Sequence, residues 1–278
     1  MSVDAVARPF SWRAIPWATL VLAVVAGLIV VRSLTLGQLS LGTLAFAGPV
    51  VFAAVVIYVR PQDRRFFWAA LAIAATPAVS LVTIWLPDVW LSLAPDDWKN
   101  ATPLLQDIGG VARELASLLG LVGLALLGLA LGGVRTFMSA VIIAFGTLVA
   151  ATIAIWYGAP MQGSPVLDLV RTIGFAVLNI VGWAFVFAAA LESLRTAALM
   201  GFGLLFANTV INALLVMAWR PQRSSTTDLL VVVFALPEVI GWLVLIAAVL
   251  RGELSAARPA ESARGRAARG TGAQRGAG

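Results

Sequence analysis

About eight times along the 278-residue chain, some twenty consecutive residues pass almost without a charge. Crossing a hydrocarbon core about 30 Å thick takes about 20 apolar residues at 1.5 Å rise each. The runs fall at 15–31, 41–59, 66–86, 115–134, 137–157, 166–191, 197–219 and 229–250. Inside lipid every backbone N–H and C=O must be paired within the protein, and an uninterrupted apolar run achieves that as a helix. The predicted fold is therefore all-α, a polytopic transmembrane helix bundle of about eight spans.

Composition points the same way. Hydrophobic residues make up 61% and charged residues 12% of the chain, against about 45–50% and about a quarter in soluble domains. That leaves too little polar surface for a water-soluble globule, which excludes a cytoplasmic enzyme, a secreted domain and a disordered regulator. The cell membrane is the expected location. The first run has the flanks of a signal-peptide core, because Arg8 and Arg13 precede it. No small-residue cleavage site follows before Arg32, so it is read as a retained span.

Arginine sets the expected orientation, since basic short loops stay in the cytoplasm. With the N-terminus inside, Arg60, Arg64, Arg65, Arg135 and Arg195 join Arg8 and Arg13 on the cytoplasmic face. The outer face then collects Asp88, Asp96, Asp97, Asp107, Asp168 and Asp228, with Arg32, Lys99, Arg113, Arg171, Arg220 and Arg223. Eight crossings place both termini in the cytoplasm. Trp17, Trp68, Trp85, Trp156 and Trp219 lie near predicted helix ends, the interfacial level that suits an amphipathic ring.

Three segments follow: a cytoplasmic N-terminal stretch, 1–14; the transmembrane helical domain, 15–250; and a disordered basic cytoplasmic tail, 251–278. Six arginines against two glutamates give the tail four of the chain's six net positive charges. Low hydrophobicity leaves it nothing to pack. Its expected partner beyond water is the headgroup layer of anionic lipids. It has no aromatic residue on which a base could stack, so nucleic acid is not an expected partner.

Outside the spans, the longest polar connection runs from Pro87 to about Gln106, and Thr102 and Pro103 suit the start of the fourth helix. Gly128 with Gly132 and Gly203 with Ala207 are small-xxx-small pairs, which predict close helix contact within the bundle, in a homo-oligomer or with a partner membrane subunit. The triplet Arg-Pro-Gln occurs at 60–62 and again at 220–222. Three residues without further flanking similarity do not make a repeat.

Two absences narrow the chemistry. Without cysteine there is no disulfide, thiolate nucleophile or iron–sulfur ligation. Without histidine there is no HExxH zinc site and no serine–histidine pair. Lys99, the only lysine, falls in a polar connection, an unsuitable place for a buried retinal Schiff base. A Walker phosphate loop is missing too. No catalytic set, metal site or cofactor is expected.

What remains is a carboxylate in an unusual place. Glu238 falls about ten residues into the last run, roughly 15 Å along its axis, where a charge costs about 2.5–3.5 kcal/mol on insertion scales. Pro237 just before it lacks an N–H and leaves the carbonyl of Val233 without its helical partner. Asn208 and Asn212, four apart, share one face of the seventh run, and Asn179 is mid-span in the sixth. Asp168 and Arg171 open the sixth run nearer the outer face, as Asp107, Arg113 and Glu114 do the fourth. The candidate substrate- or proton-binding residues are Glu238, Asn208, Asn212, Asn179, Arg171 and Asp168.

Three functions fit such residues. In a transporter or permease-like protein they bind a solute or proton at mid-membrane. In a noncatalytic scaffold or accessory subunit they only fix helix register. A carboxylate-based membrane enzyme would instead work at the outer face through Asp168 or Glu114.

Overall fold

A computed structural model describes residues 16–35, 37, 40–59, 64–93, 95, 102–132, 146, 165–193, 196–218 and 225–254. Within them lie seven helices and no strand: α1 (Trp17–Thr35), α2 (Leu41–Val59), α3 (Arg64–Leu93), α4 (Thr102–Gly132), α5 (Pro165–Ser193), α6 (Thr196–Ala218) and α7 (Ser225–Leu250). Each of the first six contains a stretch long and apolar enough to cross a membrane, and α7 adds the shorter apolar stretch Ala235–Leu250. This is the make-up of a multi-pass membrane protein. The predicted span 137–157 lies outside the described residues, apart from a helical Gly146, as does the chain beyond Leu254.

Local chemistry accounts for several helix ends. Ser40 caps α2, its hydroxyl accepting from the Thr43 N–H at 3.4 Å. At the other end of the chain, Gly252 adopts φ 72°, and Glu253 N–H donates to Ala248 O while Gly252 N–H donates to Val249 O, both at 2.9 Å. That is a Schellman cap on α7, and a left-handed residue there costs glycine nothing. Just past the cap, Leu254 is 1% exposed, so the packed chain extends beyond the predicted end of the last span.

One helix is longer than its sequence suggests. The third run is read as ending at residue 86, with a polar connection opening at Pro87, yet α3 continues through Pro77 and Pro87 to Leu93. The reason is packing against α4. Thr83 lies against Gly109, Thr76 against Gly120 and Ile73 against Gly123, along the middle of the antiparallel pair. Proline removes one helical hydrogen bond, a loss that neighbouring helices and side chains offset in a bundle. As Thr102 and Pro103 suggest, α4 starts at Thr102.

Helices α2 to α7 form a closed ring in which each packs on the next and α7 returns to α2, while α1 packs mainly on α2 from outside. Accordingly α1 buries only Leu22 and Ile29 and exposes Trp17, Val21, Val24 and Val31. Phe52, Phe66, Leu121, Val186, Phe202 and Leu245, one from each ring helix, are fully buried. Lipid tails remove the hydrophobic drive between helices, so close contact rests on small residues. Gly128 lies against Phe185, Gly48 against Trp242 and Gly203 against Phe187. The contacts predicted at Gly128 and Gly203 are thus made inside the chain.

Direction within the ring is informative. The α3–α4, α5–α6 and α6–α7 pairs are antiparallel: Phe187 meets Gly203 while Ala176 and Ala213 line one cavity, and Gly201 and Gly241 meet Leu245 and Leu205. The α4–α5 pair runs parallel: Leu124 meets Gly182 and Gly128 meets Phe185. The α2–α7 pair is parallel as well, with Ala45 clustered with Ala235 and Val239 and Gly48 on Trp242. Gly132 and Pro165 consequently sit at opposite ends of the bundle.

Helix pairing also repeats. The order α2–α3–α4 recurs as α5–α6–α7, and the two sets are joined through the two parallel contacts. In one hairpin a Cβ on Gly123 would lie 2.7 Å from Ile73 N; in the other, a Cβ on Gly241 would lie 2.9 Å from Leu205 Cγ. The Arg-Pro-Gln triplets follow α2 and α6, which do not correspond, so they take no part in this repetition.

Candidate functional site

The central turns of α5, α6 and α7 line a partly open cavity of about 390 Å³. Its polar lining is Asn179 from α5, Asn208, Thr209 and Asn212 from α6, and Glu238 from α7. Asn179 is the middle residue of α5, and Asn208 and Glu238 lie near the middle of their own helices. Four of the six sequence-predicted site residues thus converge in one space. The i,i+4 spacing of Asn208 and Asn212 puts both on the face of α6 turned to α5 and α7.

Asn208 is the anchor. It is 4% exposed, and its Nδ2 donates to Glu238 Oε2 at 3.3 Å. Its Oδ1 is buried with no hydrogen-bond partner. Asn179 and Thr209 each direct a donor to the backbone. Asn179 Nδ2 donates to Phe175 O at 3.0 Å, and Thr209 Oγ1 donates to Leu205 O at 2.8 Å. One amide hydrogen of Asn208 and one of Asn179 are thus held by the protein, and Asn208 Oδ1 is left over.

Aromatic side chains bound the site. Trp183, one turn from Asn179 on α5, lines the cavity and meets Trp242 edge-on at 5.8 Å. Trp242, one turn beyond Glu238, brings its indole N–H beside that carboxylate without reaching hydrogen-bonding geometry. Farther along α5 and α6, Phe187 stacks on Phe206 at 5.8 Å and 16°. The cavity extends the opposite way, to Ala176, Asn212 and Ala213, toward the start of α5 and the end of α6.

The remaining candidates stand apart. Asp168 and Arg171 belong to the first two turns of α5, and their side chains lie outside the described part of the structure. Arg171 precedes Asn179 by eight residues, about 12 Å along the axis. Asp107 is exposed on α4, and Arg113 and Glu114 are half-buried on the same helix. Sequence reasoning missed Trp183, Thr209 and Trp242. Their signal was spacing alone, four residues from Asn179, next to Asn208 and four residues from Glu238, and such spacing is equally that of ordinary core positions.

No group of three acidic, histidine or cysteine side chains suited to a metal ion occurs among the described residues. Comparison with protein-family models, with curated proteins and with solved structures finds no match for this chain.

Proposed function

We propose that the protein is a transporter or permease-like protein of the cell membrane, in which Glu238, Asn208, Asn212 and Asn179 bind a small solute or a proton at mid-membrane. One observation carries this reading. The α3–α4 and α6–α7 hairpins pack at corresponding glycines, Gly123 and Gly241. Three residues before each glycine the first hairpin has Gly120 on Thr76, and the second has Glu238 on Asn208. The first hairpin keeps its register with no acid or amide at this level. Register alone therefore gives no reason to place a carboxylate in the second, which argues against a pure scaffold.

The proposed topology has eight crossings with both termini cytoplasmic. Its support is the parallel course of α4 and α5, which requires one more passage between Gly132 and Pro165. The cavity then extends toward the outer face, where Asp168 and Arg171 open α5, and the Phe187–Phe206 stack lies on its inner side. Buried membrane carboxylates characteristically mark ion, proton or substrate paths.

The chain has no cysteine, which makes a direct test straightforward. Asn212→Cys should react with a membrane-impermeant thiol reagent added outside, and Phe206→Cys with reagent added inside. Lipid-facing Ile240→Cys should react with neither. Glu238→Gln should shift the balance between the two accessible faces. A transporter needs both faces reached in turn; reaction from neither face at Asn212→Cys and Phe206→Cys leaves the scaffold reading in possession.

A further inference from the structure

We propose that the cavity beside Glu238 takes a protonated amine, a small organic cation with N–H donors and an apolar body. The proposal rests on the reading of this cavity as the binding site and specifies its ligand.

One acceptor of the site is orphaned. Asn208 gives its Nδ2 to Glu238 and keeps Oδ1 buried and unpartnered. Asn179 gives its Nδ2 to Phe175 O and Thr209 its hydroxyl proton to Leu205 O. Each keeps an oxygen with lone pairs, and the carboxylate adds acceptors and negative charge. No arginine or lysine is among the described residues lining the cavity. A buried acceptor left unmade costs about 1–3 kcal/mol, and only a ligand that brings donors recovers it.

Charge and shape restrict the ligand further. An anion would face a carboxylate across a space that no arginine or lysine among the described residues lines. A hard metal cation asks for six or more oxygens at close range, whereas Ala176, Leu205 and Ala213 occupy much of the wall. A cavity of about 390 Å³ exceeds the needs of a bare ion. The Trp183 ring on the same wall offers apolar surface to the body attached to a cationic group. An ammonium group against Glu238, beside Asn208, with its hydrocarbon against Trp183 and Leu205, matches both the charge and the apolar wall of the cavity.

The test uses the full chain in lipid nanodiscs, with empty nanodiscs as the blank, and three probes of similar shape at neutral pH: 2-phenylethylammonium, 2-phenylethanol and 3-phenylpropionate. Binding is read by calorimetry and by tryptophan fluorescence. The ammonium should bind saturably and at least about tenfold tighter than the alcohol, with the carboxylate weakest. In Glu238→Gln the ammonium should lose at least about tenfold in affinity while the alcohol stays nearly unchanged. Equal binding of ammonium and alcohol, or tighter binding of the carboxylate, overturns the proposal. That ranking is measured on the unaltered chain and does not depend on the variant folding. Ammonium selectivity without two-sided thiol access would leave a cation-binding site and remove transport. Two-sided access that depends on Glu238, without ammonium selectivity, would leave transport and remove the amine.

Discussion

Gly120 and Glu238 lie in two antiparallel hairpins of the ring, each three residues before a glycine packed on the partner helix, Gly123 and Gly241. Their surroundings differ. The Cβ position of Gly120 lies 2.8 Å from Thr76 Oγ1, and Thr76 closes the space by donating to Ala116 O at 2.9 Å. Glu238 meets Asn208 instead, and a cavity opens beside them. The same pairing of helices thus yields a sealed contact in one half of the ring and a polar hollow in the other.

The Asn208–Glu238 hydrogen bond should be measurable as a coupling. Asn208→Ala, Glu238→Gln and the double variant, compared by unfolding in detergent, should give an interaction energy of about 0.5–2 kcal/mol. Strict additivity of the two single changes would show that the bond contributes nothing to the folded bundle.

The two hairpin glycines should differ in their tolerance of a methyl group. In Gly123→Ala the new Cβ meets the backbone of Ile73 at 2.7 Å, so whole helices must separate. In Gly241→Ala its nearest neighbour is the flexible Leu205 side chain at 2.9 Å. Thermal unfolding should show Gly123→Ala less stable by about 1–3 kcal/mol, and Gly241→Ala affected less. The reverse order would contradict the packing described.

Crossing parity is open to reporter fusion. Fusions after Gly132, Ser193 and Gly278 should all report the cytoplasm, and a fusion after Ala218 the outside. Opposite results at Gly132 and Ser193 would mean that the chain does not cross between α4 and α5, at odds with their parallel contact.

Past α7, Leu254 should mark where the packed domain stops. A chain ending at Leu254 should unfold like the full protein. Leu254→Ala should cost about 2–4 kcal/mol, as removal of a buried leucine does, and a chain ending at Leu250 should lose the Gly252 cap as well. Binding of vesicles rich in anionic lipid should fall with loss of 255–278, whose arginines are the proposed headgroup contact. Vesicle binding that survives this truncation would place the contact elsewhere.

The sequence by itself determined the medium and the element type, because long uncharged runs have a low-energy place only as helices in lipid. It also singled out Glu238, since a carboxylate between Pro237 and Val239 conflicts with everything around it. It could not determine that Asn179, Asn208 and Asn212 share a cavity with that carboxylate, because adjacency of helices is a property of the packed bundle, and helices apolar on most sides carry no mark of which neighbours they meet. Pro87 shows the same limit: locally it marks an ending, and contact with α4 carries the helix past it. Only the tertiary structure decided which hairpin is sealed and which is hollow, because that outcome follows from whether the side chain facing Thr76 or Asn208 is a hydrogen atom or a carboxylate.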